Sequence, residues 1–423
     1  MKRIFKQTCI FFILIMLFVT ILSINSFAES KKLVMFFSSG GSGKALAVAA
    51  EDFAEKTGIE MEVLTFPMDE VNSKQILALT QGVSTPDVIS VYDAWLANLW
   101  KSLEPLKIDE ETKLTLISSA LESFRYPQKV GDYFALPVRT GATMLVYRED
   151  VFAEHGIDPK EIKTWEDLLK AAIKFNDPLK RQWGIVLESV PNDSIMSEWL
   201  SITGSYGVEL LTPDYQKAAF NTENGIKATQ LFIDLYQKAA SPGNINYNNS
   251  DTIEAMKTGM ATMAILYAPR FQAVNDPAFP YTGKFKVLPI LPYGEGSGLS
   301  EGVPVITSWG LGVNKNSKNK EIAEEFVKFV ASEEEQLRLA NDYFNVPTVK
   351  SAYSDSKYLE NIPIALEILK SIEGGQCHPV ISSFTQVQDA ICLQLGKAIV
   401  GDISASDALA TAENNVNKIL ASK

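Results

Sequence analysis

The chain has few of the residues on which catalytic and metal sites depend. It contains 2 histidines and 3 cysteines among 423 residues. A zinc site needs three or four clustered Cys, His or carboxylate ligands, and no Cys-x-x-Cys pair is present. The Gly-x-Ser-x-Gly motif of many serine hydrolases is also missing. The sequence therefore predicts no metal, no cofactor and no catalytic residue. Its 51 acidic residues still allow paired carboxylates, so a secreted glycoside hydrolase remains an alternative.

Basic residues are in the minority. There are 39 Lys and Arg against 51 Asp and Glu, which gives a formal net charge of −12. Nucleic acids and anionic membranes are negatively charged and attract proteins in which basic residues outnumber acidic ones. We expect no nucleic-acid partner, and the chain is expected to be a monomer.

The first 28 residues have the pattern of a secretory signal peptide. Lys2 and Arg3 begin it, an apolar run from 9 to 22 follows, and small residues stand at Ser26 and Ala28. The apolar run is shorter than the ~20 residues that span a membrane. Cleavage after Ala28 predicts a periplasmic or extracellular protein. Cys377 and Cys392 would remain, and their spacing leaves both a disulfide and two separate thiols open.

The hydrophobic pattern predicts an α/β protein of more than one lobe. A chain this long exceeds what one core usually supports. Apolar runs at 33–37, 61–66 and 86–91 indicate buried strands, and helical spacing between them indicates a doubly wound sheet. A second region opens with a strand at 143–147, after Pro137 ends an extended segment.

A glycine-rich loop follows the first strand. Gly40 to Lys44 has a phosphate-loop appearance, but Ser38 and Ala45 do not fit that motif. A tight turn before a helix is one interpretation. A ligand contact from Ser39 and Lys44, beside free backbone N–H groups, is the other.

Residues 133–157, followed by 164–169, resemble the sugar-binding proteins of ATP-binding-cassette (ABC) importers. The shared pattern runs from Tyr133-Phe-Ala-Leu-Pro through Thr140-Gly to Thr164-Trp-Glu-Asp-Leu-Leu. Further stretches resemble the same family in the same order, so the likeness covers essentially the whole mature chain. These stretches are 84–93, 251–265, 267–270, 309–313, 344–347 and 376–380.

The resemblance implies a two-lobe periplasmic binding protein of the Venus-flytrap type, with a ligand cleft between two α/β lobes. Each lobe would be a doubly wound sheet flanked by helices. Residues 29–138 and 290–345 would form lobe 1, and residues 139–289 and 346–423 would form lobe 2. The implied function is capture of a sugar, an oligosaccharide in particular, for delivery to the permease subunits of a membrane ABC transporter.

Sugar sites combine flat aromatic side chains with planar hydrogen-bonding groups. Any one aromatic residue could instead be a core residue. The predicted ligand-binding residues, taken from the residue types and from the resemblance, are Ser39, Lys44, Asp93, Trp95, Arg139, Trp199, Tyr206, Tyr267, Arg270, Trp309, Phe344 and His378.

Two arginines bear on the identity of the ligand. Arg270 stands where the family usually has a tryptophan, and His378 replaces a common arginine. Arg139, at the first predicted crossing between lobes, could hold a sugar carboxylate or form an interlobe ion pair. If both arginines face the cleft, an acidic sugar is favoured as the ligand. A binding protein for a non-sugar solute and a signalling receptor remain further alternatives.

Overall fold

The computed structural model describes residues 32–39, 41–190 and 193–422. The predicted signal peptide lies outside these ranges. Across the described ranges, no helix has both the length and the apolar character needed to cross a membrane.

The residues that the structure describes form eleven strands, numbered here in chain order. They are β1 Lys32–Ser38, β2 Glu60–Phe66, β3 Val88–Tyr92, β4 Arg125–Tyr126, β5 Asp132–Tyr133, β6 Leu136–Arg148, β7 Trp183–Val186, β8 Ala261–Tyr267, β9 Phe285–Val287, β10 Val305–Val313 and β11 Gln376–Cys377. The main sheet has the order β2-β1-β3-β10-β6-β8-β7, with β11 beside β10 and β9 beside β6. Strands β4 and β5 form a separate hairpin.

The α-helices surround this sheet. They are α1 Gly41–Thr57, α2 Met68–Thr80, α3 Leu96–Leu99, α4 Glu110–Thr115, α5 Ser118–Glu122, α6 Glu149–Glu154, α7 Trp165–Lys174, α8 Asp193–Ser205, α9 Glu223–Asp234, α10 Asn249–Lys257, α11 Phe271–Val274, α12 Lys320–Ala331, α13 Glu333–Tyr343, α14 Ser356–Asn361, α15 Ala365–Gly374, α16 Phe384–Ile399 and α17 Ala405–Ala421. Thr164 and Asp167 form a capping box at the start of α7, as the pattern Thr-x-x-Asp favours.

Strand β6 belongs to the sheets of both lobes. Its first part, Leu136 to Ala142, pairs antiparallel with β10. Its second part, Thr143 to Tyr147, pairs antiparallel with β8, and β9 flanks the same part. Almost every residue of β6 is buried, and its second part carries the apolar run Met144-Leu-Val146 that is typical of a central strand. The fold is therefore the two-lobe α/β architecture that the sequence indicated.

The sequence predicted that the extended segment ends at Pro137, and this was wrong. Strand β6 runs through Pro137 because a β-bulge lies beside it: Trp309 pairs with Arg139, but Gly310 pairs with Pro137. Val138 is the extra residue of the bulge. The regular hydrogen bonds of the strand pair are interrupted at a bulge, so the N–H that proline lacks is not needed there. Gly141 is needed further along, because a Cβ there would lie 2.9 Å from the Pro269 ring.

A third segment, residues 344–349, lies against the first part of β6. Its Val346 carbonyl accepts a hydrogen bond from the Thr140 N–H at 3.3 Å. Asn345 donates its amide to the Val138 carbonyl at 2.8 Å, and Thr348 donates its hydroxyl to the Pro137 carbonyl at 3.0 Å. Three stretches of chain thus meet at the bulge.

The two cysteines are not joined by a disulfide. Cys377 Sγ lies 3.4 Å from Ser123 Oγ, whereas Cys392 is buried within α16 among apolar residues. Of the two alternatives that the sequence left open, the structure has separate thiols.

Candidate ligand-binding cleft

A cavity of about 310 Å³ lies at the ends of β1, β3 and β8, beside the paired part of β6 and β10. Its lining consists of aromatic, hydroxyl, amide and guanidinium groups. The lining residues are Phe37, Ser38, Ser39, Met68, Tyr92, Arg139, Thr140, Gly141, Asn249, Tyr267, Pro269, Arg270, Thr307 and Trp309. Ligands of open α/β sheets bind outside the carboxyl ends of the strands, and Ser38, Tyr92 and Tyr267 each end a strand here.

A larger groove of about 740 Å³ lies elsewhere, along residues 287–293. Its lining combines aliphatic and proline side chains with the charged groups of Asp158, Lys160, Lys163 and Glu301. None of the predicted site residues lines this groove, whereas five of them line the smaller cavity. We therefore take the smaller cavity, called the cleft below, as the candidate site.

Trp309 is the centre of an aromatic cluster at the cleft. Its ring centroid lies 5.3 Å from each of those of Phe37, Tyr92 and Trp95. Phe37 and Tyr92 are buried, whereas Trp309 is only partly buried and lines the cleft. Packing on several sides fixes the indole ring, so its position does not depend on a ligand.

The bulge in β6 positions Arg139 at the cleft. Arg139 follows the bulged Val138 and pairs with Trp309 in the neighbouring strand. The Val138 carbonyl accepts hydrogen bonds from two buried amides, those of Gln336 at 3.0 Å and Asn345 at 2.8 Å. Burial and the nearby charge of Arg270 lower the pKa of Arg139 to about 10. The guanidinium nevertheless remains charged at neutral pH.

Arg270 enters the cleft from the short turn after β8 and is held from behind. Its guanidinium forms an ion pair with Glu188, which is 1 % exposed, and donates to Ser194 Oγ at 3.2 Å. Glu198 is buried beside Glu188 and accepts the Glu188 N–H at 3.2 Å. Burial, followed by the charge of Glu188, raises the pKa of Glu198 well above its ordinary value. The protonated form of Glu198 is therefore favoured over its carboxylate.

Tyr267 links the cleft to a smaller cavity. Its hydroxyl donates to Ser197 Oγ at 2.6 Å, and Ser197 Oγ lies 3.3 Å from His378 Nε2. His378 is buried and lines a neighbouring cavity of about 130 Å³ together with Gln128 and Tyr215. His378 is thus connected to the cleft through Ser197 and Tyr267, and it does not line the cleft itself.

The structure brings together Ser39, Arg139, Tyr267, Arg270 and Trp309 at the cleft. It places the other predicted residues elsewhere. Asp93 accepts the N–H groups of Ala94 at 2.8 Å and Ser308 at 2.9 Å, so it ties β3 to β10. Trp95 packs behind Trp309 in the aromatic cluster.

Four predicted residues lie farther from the cleft lining. Trp199 is fully buried and donates its indole N–H to Thr229 at 3.0 Å. Tyr206 is buried and donates its hydroxyl to Glu166. Phe344 is half exposed in the left-handed turn that ends α13, and Lys44 is exposed on α1.

Several cleft residues were missed by sequence reasoning. Tyr92 directly precedes the predicted Asp93, and alternation along β3 could have suggested it. Asn249 opens α10 beside the capping residue Asn248. Its side-chain oxygen is buried and has no hydrogen-bond donor among the described residues. Phe37 and Met68 carry no local signal that distinguishes them from core residues.

The fold and the cleft define a solute-binding protein of the two-lobe class. Residues 38–337 match the model of the family described as bacterial extracellular solute-binding protein. The match covers more than half of the chain, and the chain belongs to this family.

Among curated relatives, the chain is 22% identical over 384 residues to a probable amino-acid ABC transporter periplasmic-binding protein of Sinorhizobium fredii. That alignment covers 88% of this chain and 85% of the relative. The chain is also 26% identical to the arabinooligosaccharide-binding protein of Bacillus subtilis, and this second alignment covers 66% of the chain and 63% of the relative.

Among solved structures, the chain is similar to maltose-bound MalE3 of T. maritima, with a TM-score of 0.81 and 26% identity. This similarity covers 92% of this chain and 99% of the other. A solute-binding protein of Agrobacterium radiobacter in complex with ribitol has the same fold, with a TM-score of 0.80, 22% identity and coverages of 92% and 98%.

Within the residues that the structure describes, no group of three or more His, Cys, Asp or Glu side chains could hold a metal ion.

Proposed function

We propose that the protein captures a sugar in the cleft and delivers it to the permease subunits of an ABC importer. The observation that carries this proposal is the partly exposed indole of Trp309, fixed by three aromatic neighbours beside hydroxyl, amide and guanidinium groups. The apolar face of a sugar ring stacks on such a surface, while its hydroxyls bond to the polar groups.

The polar lining suits hydroxyl groups. Ser38, Ser39 and Thr307 are within the lining and can each donate or accept. The buried Asn249 oxygen has no donor among the described residues and can accept from a ligand hydroxyl. Satisfying a buried acceptor avoids a cost of about 1–3 kcal/mol. A polyhydroxylated ligand can therefore donate a hydrogen bond to this oxygen, whereas an apolar ligand cannot.

The cleft size supports a short saccharide. Small-molecule sites enclose about 300–1,000 Å³, and 310 Å³ lies at the lower end of that range. A mono- or disaccharide fits this volume better than a long chain. Titration with a ladder of chain lengths tests this directly, since affinity is then expected to stop rising after the second sugar unit.

Capture is proposed to close the two lobes. With the lobe boundaries given by the sequence, Tyr92 and Trp309 lie on lobe 1, and Asn249, Tyr267 and Arg270 lie on lobe 2. A ligand that contacts both sets binds the closed form better and shifts the open–closed equilibrium toward it. The permease would select the closed, loaded shape. We further propose export through the segment 1–28 and action as a monomer.

The comparisons support this proposal at the level of class. Relatives and neighbours bear the names of proteins that bind arabinooligosaccharide, mannitol, maltose or an amino acid. Most of these ligands are polyhydroxylated. The amino-acid name makes an amino acid the appropriate non-sugar comparison.

Intrinsic tryptophan fluorescence with a carbohydrate panel tests the proposal. The panel contains neutral and acidic mono- and disaccharides, polyols and amino acids. We expect saturable quenching or a spectral shift with a saccharide, because Trp309 lies at the site. Silence with every saccharide, or a response to amino acids alone, would refute sugar capture. Aryl glycosides in the same panel would reveal hydrolysis as a released chromophore.

A further inference from the structure

The cleft lining is positively charged. It contains the guanidinium groups of Arg139 and Arg270, and no carboxylate belongs to the part of the lining that the structure describes. The chain as a whole is acidic, with a formal charge of −12. A cationic lining inside an anionic protein concentrates the electric field of the site, and such a field favours an anionic ligand.

The two arginines have different surroundings. The charge of Arg270 is balanced from behind by Glu188, which is 1 % exposed and does not line the cleft. Burial, followed by the charge of Glu188, raises the pKa of Glu198, the other buried acid there. Arg139 lies on β6 in the same lining, where burial and the Arg270 charge both act against its cationic form. A negative group between the two arginines would relieve this repulsion.

One helix adds to the positive potential. Helix α1 begins two residues after the lining residue Ser39 and has no acidic residue in its first turn. The N-terminal end of a helix carries a partial positive charge and free N–H groups. This end reinforces the field of the arginines.

We propose that the captured sugar is acidic, with a uronic- or aldonic-acid unit whose carboxylate binds beside Arg139. This inference rests on the proposed capture of a sugar and adds the sign of its charge. A planar guanidinium can bind a carboxylate through two parallel N–H···O bonds. The sugar ring would then stack on Trp309, which is the direct β10 partner of Arg139.

Isothermal titration calorimetry with matched ligand pairs tests the inference. The pairs are D-galacturonate with D-galactose and D-glucuronate with D-glucose. Each pair is also tested as two disaccharides that share one linkage and differ only in the acidic unit. L-Glutamate and succinate provide carboxylates without a sugar ring. At least one acidic saccharide should bind about 10- to 100-fold more tightly than its neutral partner, as expected for a charged hydrogen bond. Raising the salt concentration should reduce that preference only weakly, because the cleft is partly buried.

Two variants test whether Arg139 causes the preference for an acidic saccharide over its neutral partner. Arg139→Met should abolish the acidic preference, and Arg139→Lys should retain part of it, since lysine keeps the charge and loses the planar fork. Lys315→Met removes an exposed cation outside the cleft lining and should leave the preference unchanged. The comparison within the unmodified protein stands even if an Arg139 variant folds poorly.

The outcomes separate the two proposals. Tight binding of a neutral sugar, equal to or better than its acidic partner, would overturn the acidic-sugar inference and leave sugar capture intact. Binding of glutamate or succinate without any saccharide would overturn both. An acidic preference that persists in Arg139→Met would overturn the role assigned to Arg139.

Discussion

Arg139 and Trp309 are direct partners in the ladder between β6 and β10, and both line the cleft. The bulge at Val138 lies next to this pair and changes the pairing from Arg139–Trp309 to Pro137–Gly310. A bulge re-aims the side chains beside it. A cation and an aromatic surface are thus presented together at the cleft, where the first part of β6 pairs with β10.

The first prediction concerns the aromatic surface. Trp309→Ala should reduce sugar affinity by about 30-fold or more, corresponding to ~2 kcal/mol for loss of a central aromatic contact. Trp309→Phe should lose less, because a smaller ring remains. Calorimetric titration measures both. Trp183→Ala, which removes a tryptophan at the start of β7, is the matched control, and an equal loss of affinity there would contradict the assignment.

The second prediction concerns the amides that hold the bulge. Gln336 is fully buried, and it donates to the Val138 carbonyl while accepting from the Thr348 N–H at 3.0 Å. Gln336→Leu leaves the Thr348 N–H without its acceptor and leaves the Val138 carbonyl with the Asn345 amide alone. It should lower the free energy of unfolding by about 1–3 kcal/mol. Urea denaturation measures the change. Gln81→Leu, at an exposed position, should change stability by less than ~0.5 kcal/mol.

The third prediction concerns pH. The pKa of Glu198 is raised in the folded protein, mainly by burial. Folding therefore favours protonated Glu198, so its stability contribution is complete below the unfolded pKa near 4.5 and is lost as pH rises above it. Glu198→Gln copies the neutral acid. It should raise Tm at about pH 7.5 and have much less effect at about pH 4.5.

Thermal unfolding scans at the two pH values measure this difference, with the exposed Glu360→Gln as the control. An equal Tm shift at both pH values would show that Glu198 does not titrate as inferred. A decrease in Tm at neutral pH would show that the carboxylate is ionised and needed.

The fourth prediction concerns a hydrogen bond between the proposed lobes. Tyr215 donates its hydroxyl to Gln128 Oε1 at 2.6 Å, and Val380 N–H approaches the same oxygen at 3.5 Å. Tyr215→Phe removes the direct bond, which is worth about 0.5–1.5 kcal/mol. We expect sugar affinity to fall by roughly 2- to 10-fold, because the closed form loses a contact that the open form does not have.

Small-angle X-ray scattering of the ligand-free protein gives a second measurement for this variant. Tyr215→Phe should increase the radius of gyration relative to the unmodified chain. Tyr343→Phe, on the exposed end of α13, should not. Unchanged affinity and unchanged scattering would mean that the Tyr215 bond does not stabilise closure.

The fifth prediction concerns the thiols. Burial raises the pKa of Cys377 to about 11, so its thiolate is scarce at about pH 8 and alkylation should be slow in the native protein. Denaturation should expose both Cys377 and Cys392 to iodoacetamide without a reductant. Mass spectrometry counts the added groups, and a failure to label either thiol before reduction would reveal a disulfide.

The sequence predicted the parts of the molecule that depend on local pattern. Alternating apolar runs and helices indicated the α/β class, and the pattern Thr-x-x-Asp favours the cap that Thr164 forms at the start of α7. Tyr267 and Arg270 were predicted from the resemblance of residues 267–270 to the sugar-binding proteins of ABC importers. Strand ends and helix starts are local features, and local sequence determines them.

Other features depend on contacts between distant residues. Trp199 lies on α8 and Tyr206 directly follows it. The described side chains of α8 are buried on every face, so no apolar stripe separates core aromatics from ligand contacts. The Glu188–Arg270 ion pair joins residues 82 positions apart. The Val138 bulge is set by its partner strand and by Gln336 and Asn345, which no local pattern reveals.

The most direct test of the account is a crystal structure of the protein with the saccharide that binds most tightly in the panel. We predict one sugar ring stacked on Trp309, a carboxylate within hydrogen-bond distance of Arg139, and contacts to Tyr267 or Arg270 from the opposite side. A saccharide bound outside the cleft, or one that touches neither Trp309 nor Tyr267, would contradict the account.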